Sequence, residues 1–165
     1  MLGGGRLTGS ACNAAALPAL TNVDMLHALR RIKLPRPTVG VPLYTLVNLE
    51  TTFYTRAEPF TRQFPLLGRQ VTARVTPETY TWTWGDGDHT TTDQPGEPYP
   101  SKDVTHTYLH RTHGDNQMHV HVSVEYSCEY QVANGSWQQI PDTITIVGPP
   151  SAFPIKEASA VLVPN

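Results

Sequence analysis

The chain has 165 residues, of which 16% are charged and 39% hydrophobic, with 15 Pro, 12 Gly and a formal net charge of −2. That length holds one sandwich core with extra elements rather than two full domains, and the low charge with abundant Pro and Gly suits short strands joined by turns, not a helical bundle. Lys and Arg are scattered and never interleaved with aromatics. This excludes the basic field that nucleic acid or an anionic membrane requires, and no apolar run reaches the ~18 residues of a membrane span.

In chain order, residues 1–20 are rich in Gly, Ala and Leu without a period and read as a flexible arm. They contain no apolar h-region, so the amino terminus is not a signal peptide as it stands. A helix follows. Thr21 or Asn22 caps it, Asp24 sits in its first turn, Arg30, Arg31 and Lys33 suit its carboxyl end, and Pro35 and Pro37 stop it. Val23, Leu26, Leu29 and Ile32 recur every third residue as its apolar stripe. That stripe either covers an open end of the sandwich or docks another subunit, with Leu26 and Leu29 as the contact residues.

Residues 43–55 are strand-like, with an imperfect parity that predicts a bulge or two short strands. Residues 56–63 read as a polar link and residues 64–77 as a strand pair broken at Gly68, in which Val71, Ala73 and Val75 alternate with Thr72, Arg74 and Thr76. In residues 79–84, Tyr80, Trp82 and Trp84 point to one side and three threonines to the other, a half-buried strand. Gly85 and Gly87 then allow positive φ on either side of Asp86, whose carboxylate closes the turn. A short edge strand of threonines follows at 89–92, a Pro-rich surface loop at 94–103, and a compact Val-Thr-His-Thr-Tyr segment at 104–108.

The longest strand signal runs from Met118 to Val132, with Val120, Val122, Val124, Tyr126, Cys128, Tyr130 and Val132 on one face. Asn134-Gly135 predicts a type I′ turn with positive φ at both residues, and Trp137 begins a return strand broken at Pro141. Such a hairpin is expected to project beyond the sandwich, with Trp137 at its tip. Residues 155–163 read as a last strand, partnered by the segment near residues 46–53. No internal repeat is visible.

The Tyr-Thr-Trp-Thr-Trp-Gly-Asp-Gly stretch and the later Val-Thr-His-Thr-Tyr stretch together resemble the PKD domain, an immunoglobulin-like β-sandwich. The likeness covers residues 68–147 most closely. Tyr80, Trp82, Gly85, Asp86, Gly87, His106 and Tyr108 match residue by residue, while Trp84 stands for the usual Phe and Thr83 for the usual Asp. The resemblance implies an all-β, immunoglobulin-like (PKD) sandwich over residues 64–148, preceded by the arm at 1–20 and a helix and strand extension at 21–63, and followed by a terminal strand at 149–165. It also implies that Tyr108 plugs the sandwich end as a tyrosine corner does. The longer order is helix, Leu-Val-Asn-Leu-Glu-Thr-Thr-Phe-Tyr-Thr, a Leu-Leu-Gly strand, Trp-Gly-Asp-Gly, then Asp-Val-Thr-His. It is similar to a group of uncharacterised secreted PKD-domain proteins of actinobacteria, which implies an extracellular or cell-surface location and brings no known activity. With no leader in this sequence, export follows either from a leader cleaved or lying upstream, or from another route such as a virus particle.

Among chemical constellations, Asp86, Asp88 and Asp93 are the calcium candidates, although this stretch lacks the sixth-position Gly and closing Glu of a calcium loop, and the expected reading is no metal. His106, His110 and His113 have near-ligand spacing and His119 and His121 share a strand face, but no cysteine or carboxylate completes a zinc set. No nucleophile or phosphate-loop motif is present, and Glu125 and Glu129, four residues apart on a strand, stand roughly 13 Å apart, too far for a glycosidase pair. Cys128 falls on the apolar face and reads as a buried hydrophobe, with a bridge to Cys12 as the alternative. The expectation is a non-enzymatic, cofactor-free structural or assembly protein of an extracellular filament or surface layer, associating with itself or another surface protein. The alternatives are a binding module for polysaccharide or protein, with Trp137 as a stacking group, and a phage-particle component.

Overall fold

The computed structural model describes residues 17–158 of the protein. Its elements follow in the order α1 (Asn22–Arg31), β1 (Val39–Gly40), β2 (Thr45–Leu46), β3 (Glu50–Thr52), β4 (Tyr54–Thr55), β5 (Phe60–Leu66), β6 (Arg69–Thr83), β7 (His89–Thr92), β8 (Thr105–Thr107), β9 (Met118–Val132), β10 (Gln138–Val147), β11 (Ser151–Phe153) and β12 (Ile155–Lys156). Strands β6 and β9 pair antiparallel from Val71↔Val132 to Thr83↔His121 and form the spine of the molecule. At about 3.3 Å per residue, 15 residues each give a ribbon of about 50 Å. The ribbon's edges are filled in sections: β5 and then β7 run beside β6, while β10 and β11 run beside β9.

One irregularity makes that spine fit a single core. Val71, Ala73 and Val75 are buried on odd numbers, whereas Tyr80, Trp82 and Trp84 are buried on even ones. A bulge between Pro77 and Thr79, both of which oppose β9, shifts the parity at Glu78, so the two sets share one face. Pro77 brings no N–H to a ladder and sits beside this bulge, where its loss is tolerated. Strand β9 has no bulge and keeps one parity, with Val120, Val122, Val124, Tyr126, Cys128 and Tyr130 all buried.

The core face is covered by two different things. Over the Trp84 end lie short ribbons, β3 on β8, β12 parallel to β2, and β1 on β4, and between them and the sheet pack Phe53, Tyr108 and Phe153. Over the other end lies α1, with Met25, Leu26 and Leu29 buried. The result is an all-β sandwich with one short helix, and its hydrophobic core includes Met25, Phe53 and Ile155, so the helix and flanking strands belong to the same unit as the spine. No helix among the described residues is long and apolar enough to cross a membrane.

Several sequence expectations need correction. Thr21 is the helix cap, in a reciprocal capping box with Asp24, but the buried side of α1 is Met25, Leu26 and Leu29, and Val23 is exposed. Leu26 and Leu29 are consequently part of the protein's own core and are not docking residues. Residues 60–63, expected in a link, are strand because they pair with residues 72–75 of β6. The type I′ turn lies one residue early: Ala133 and Asn134 carry φ of 43° and 64°, and the Gly135 N–H donates to the Val132 carbonyl at 2.8 Å. It shifts because the Ala133 N–H bonds the Gln70 carbonyl, which pulls the turn toward β6. The hairpin tip does not project, since Val132 is paired with Val71, and Trp137 folds back over the Arg74 guanidinium at 4.1 Å.

At the amino end, Leu17 and Leu20 do not belong to an arm. The Leu17 carbonyl accepts from Arg69 Nη2 at 2.8 Å and Leu20 packs against the core. The rest of the expected arm, and the expected strand beyond residue 158, lie outside the described residues. Strand β12 does meet its expected region, pairing in parallel with Thr45 and Leu46.

Candidate functional site

The most organised group of polar and aromatic side chains forms where β6 ends. Alternation along β6 turns the Trp82 and Trp84 rings inward, and the two stack with centroids 5.8 Å apart and planes within 6°. Each indole N–H needs an acceptor once buried. The returning strand β7 supplies them: Trp82 Nε1 donates to Thr92 Oγ1 and Trp84 Nε1 to Thr90 Oγ1, both at 3.0 Å. The turn between the strands has Gly85 at φ 86° and Gly87 at φ 107°, and the Asp88 N–H donates to Asp86 Oδ1 at 3.1 Å.

Strand β8, held on β3 by the pairing of His106 with Thr51, brings the second motif onto the first. The His106 ring lies flat on Trp84, 4.7 Å away and 4° from parallel, and its Nε2 is 2.7 Å from Asp86 Oδ2. Tyr108 Oη donates to the Trp84 carbonyl at 3.1 Å, and its ring edges against His106 and Phe153. Burial, and then the Asp86 charge, push the Tyr108 phenol well above its ordinary value, which keeps it a donor. For Asp86, burial pulls the carboxyl up, but the His106 hydrogen bond and charge and the Asp88 N–H outweigh it and leave it below its ordinary value. The arrangement is a latch that ties the β6–β7 turn to β8 through a histidine–carboxylate hydrogen bond, a ring stack and a buried hydroxyl.

That latch sets an acid dependence. Because the folded Asp86 carboxyl is depressed, its contribution is fully present above about pH 4, the ordinary carboxylate range, and is lost as pH falls through the folded value below it. The Asp86→Asn variant is expected to melt below wild type at pH 6, with the gap narrowing as both are taken into that acid window. A gap independent of pH would show that the charge of Asp86 contributes nothing.

The remaining candidates separate. Among the described residues the one group of three possible metal ligands is Asp86, Asp88 and His106, with ligand atoms within 4.8 Å of one another; Asp93 stands outside it. Three donors, one already paired with another, fall short of the six to eight oxygens calcium takes. His110 and His113 do not join His106. His119 and His121 lie on the outer face of β9, and His89 aligns with His121 across Thr83. Cys128 is a free, buried thiol, pushed up to about 11 by burial and so inert as a nucleophile. Trp137 is exposed, with the Arg74 guanidinium over its ring, and Arg74 also pairs with Glu129 at 3.1 Å.

Two features were not anticipated. The Thr90 and Thr92 acceptors were legible in principle, since Thr-x-Thr returning beside Trp-x-Trp places two hydroxyls opposite two indoles. A groove of about 470 Å³ between α1 and β5, lined by Ala28, Ile32, Phe64, Pro65 and Leu66 together with Asp24, His27 and Arg31, was not, because it is formed by the docking of a helix on a distant strand. No family model, curated protein or solved structure matches this chain.

Proposed function

We propose that the protein is a non-enzymatic structural component that self-associates, an immunoglobulin-like sandwich of the PKD type working outside the cell or at its surface, in a filament, a layer or a particle. The observation that carries the assembly reading is the state of the β5 side of the sheet: β5 pairs only with β6 among the described residues, an apolar groove runs beside it, and Leu17 and Leu67 are exposed at its end. An apolar seat beside an uncovered edge strand is surface that a second chain can cover with its side chains. The PKD reading is supported by the packing of Trp82, Trp84, His106 and Tyr108 and by the positive φ of Gly85 and Gly87, the roles that the motif implies. The polysaccharide alternative has less behind it. Its exposed aromatics, Tyr44, Tyr99 and Trp137, belong to separate segments, with Tyr44 beneath Lys156 and Trp137 beneath Arg74.

Sedimentation velocity of the full chain beside a chain beginning at Leu17 tests the reading, with circular dichroism to establish that both are folded. The full chain is expected to associate in a concentration-dependent way and the truncated one to remain monomeric. Monomers for both at every concentration would remove the assembly reading and put the binding-module reading ahead.

A further inference from the structure

We propose that the groove between α1 and β5 is the seat for the amino-terminal segment, residues 1–16, of a second copy of this chain. The inference rests on the assembly reading and adds the receiving site and the occupant. The first observation is chemical: the floor of the groove is Ala28 and Ile32 from the helix and Phe64 and Leu66 from the strand, with Leu67, at 45% exposure, beside its end. Apolar surface of this kind is stabilised by being covered.

The second observation is where the segment departs. Arg69 Nη2 holds the Leu17 carbonyl and the Leu17 side chain stands over Gly68, in the turn that closes β5 against β6, so the described chain begins beside the mouth of the groove. The buried Arg69 Nε has no hydrogen-bond partner among the described residues, which leaves one donor at that point of departure. The third is composition. Residues 1–16 contain Leu2 and Leu7 as large apolar anchors, several Gly and Ala that permit close approach, and one charged side chain, Arg6.

Geometry favours exchange between two copies. Exit and seat are adjacent, so a two-fold axis that brings two grooves face to face lets each segment cross into the other, and residues 1–16 can reach about 50 Å when extended. Continuous strand addition along β5 is opposed by Pro65 and Arg62, residues that blunt an edge. The contact is therefore carried mainly by side chains entering the groove.

The test uses the native Cys12 of the segment, since Cys128 is buried. New cysteines are placed singly in the full chain at the groove, His27→Cys and Leu67→Cys, and at a remote strand edge, Thr91→Cys. Each variant is oxidised with glutathione disulfide and resolved on a non-reducing gel beside its Cys12→Ser double variant, with sedimentation of the unoxidised protein in parallel. Interchain dimers linked through Cys12 at the two groove positions, absent at Thr91→Cys and absent without Cys12, are the expected result. In addition, Leu67→Glu is expected to weaken association about ten-fold or more, because it sets a charge against the apolar seat. Association without groove cross-links, or with equal cross-linking at Thr91→Cys, would overturn the seat while leaving self-assembly standing. An intrachain Cys12 link at the groove would make the chain's own segment the occupant and overturn the exchange. Monomers throughout would overturn this inference and the assembly reading together.

Discussion

Replacing Trp84 by Ala is expected to cost about 3–5 kcal/mol, a large fraction of the stability of a domain of this size. Trp84 is fully buried and packs against three other rings: Trp82 and His106 on its faces, and Phe53 with a centroid at 4.9 Å. Removing the indole leaves a cavity between two sheets, abandons the Thr90 hydroxyl and takes away the surface on which His106 lies. Its backbone remains, so the Trp84 carbonyl still accepts from Tyr108, and the loss measured is chiefly that of the ring. Because the Ala variant risks unfolding altogether, Trp84→Phe supplies the readable comparison: it keeps most of the packing, loses the N–H donor, and should fall between the two. Chemical denaturation checks the order. An Ala variant melting within a degree or two of wild type would show that the ring is not part of the core.

The same region shows how far the sequence carried the reading. Trp-x-Trp on one parity and Val-x-Ala-x-Val on the other were both visible, but nothing local says that they share a face; the bulge at Glu78 decides that, and it exists because both halves of β6 pair with a single unbroken β9. The Asp86 turn was legible because Gly85 and Gly87 announce it, and the contact between His106 and Trp84 was reachable only through the family resemblance, since the two lie 22 positions apart in the chain.

The helix illustrates the opposite case. Its caps were legible because Thr21 and Asp24 act on their own neighbours, whereas its buried side was misjudged. Val23 and Ile32 continue the apolar period, yet Met25 is fully buried and Val23 is exposed, since the angle at which α1 crosses the sheet is set by the surface of β10 and not by the helix itself. For the same reason the groove beside β5 was invisible: neither Ile32 nor Phe64 signals the other. Residues 60–63 were lost as a strand through polarity, because Thr61, Arg62 and Gln63 are exposed on an edge and only their pairing with β6 makes them extended.

Substitution of Gly85 is expected to be the most damaging change in the turn, and worse than substitution of Gly87, although both glycines have positive φ. At Gly87, with φ 107°, an added Cβ meets nothing within 4 Å, so Gly87→Ala carries backbone strain alone, about 1–2 kcal/mol. At Gly85, with φ 86°, the Cβ would lie 2.4 Å from the His119 carbonyl oxygen and 2.8 Å from Met118 Sδ. The methionine can move aside, but the carbonyl belongs to the start of β9, where His119 is paired with Ala152 of β11. Relieving the clash means lifting the β6–β7 turn away from β9, which adds an overpacking cost of about 1–3 kcal/mol to the same strain. It also carries Asp86 away from His106. Gly85→Ala is therefore expected to lower stability by about 2–5 kcal/mol and to abolish the acid-dependent part contributed by Asp86, whereas Gly87→Ala keeps that part. Melting both variants across the acid window decides it: equal losses, or an undiminished acid dependence in Gly85→Ala, would mean that the close approach of Gly85 to β9 is not what holds the latch shut.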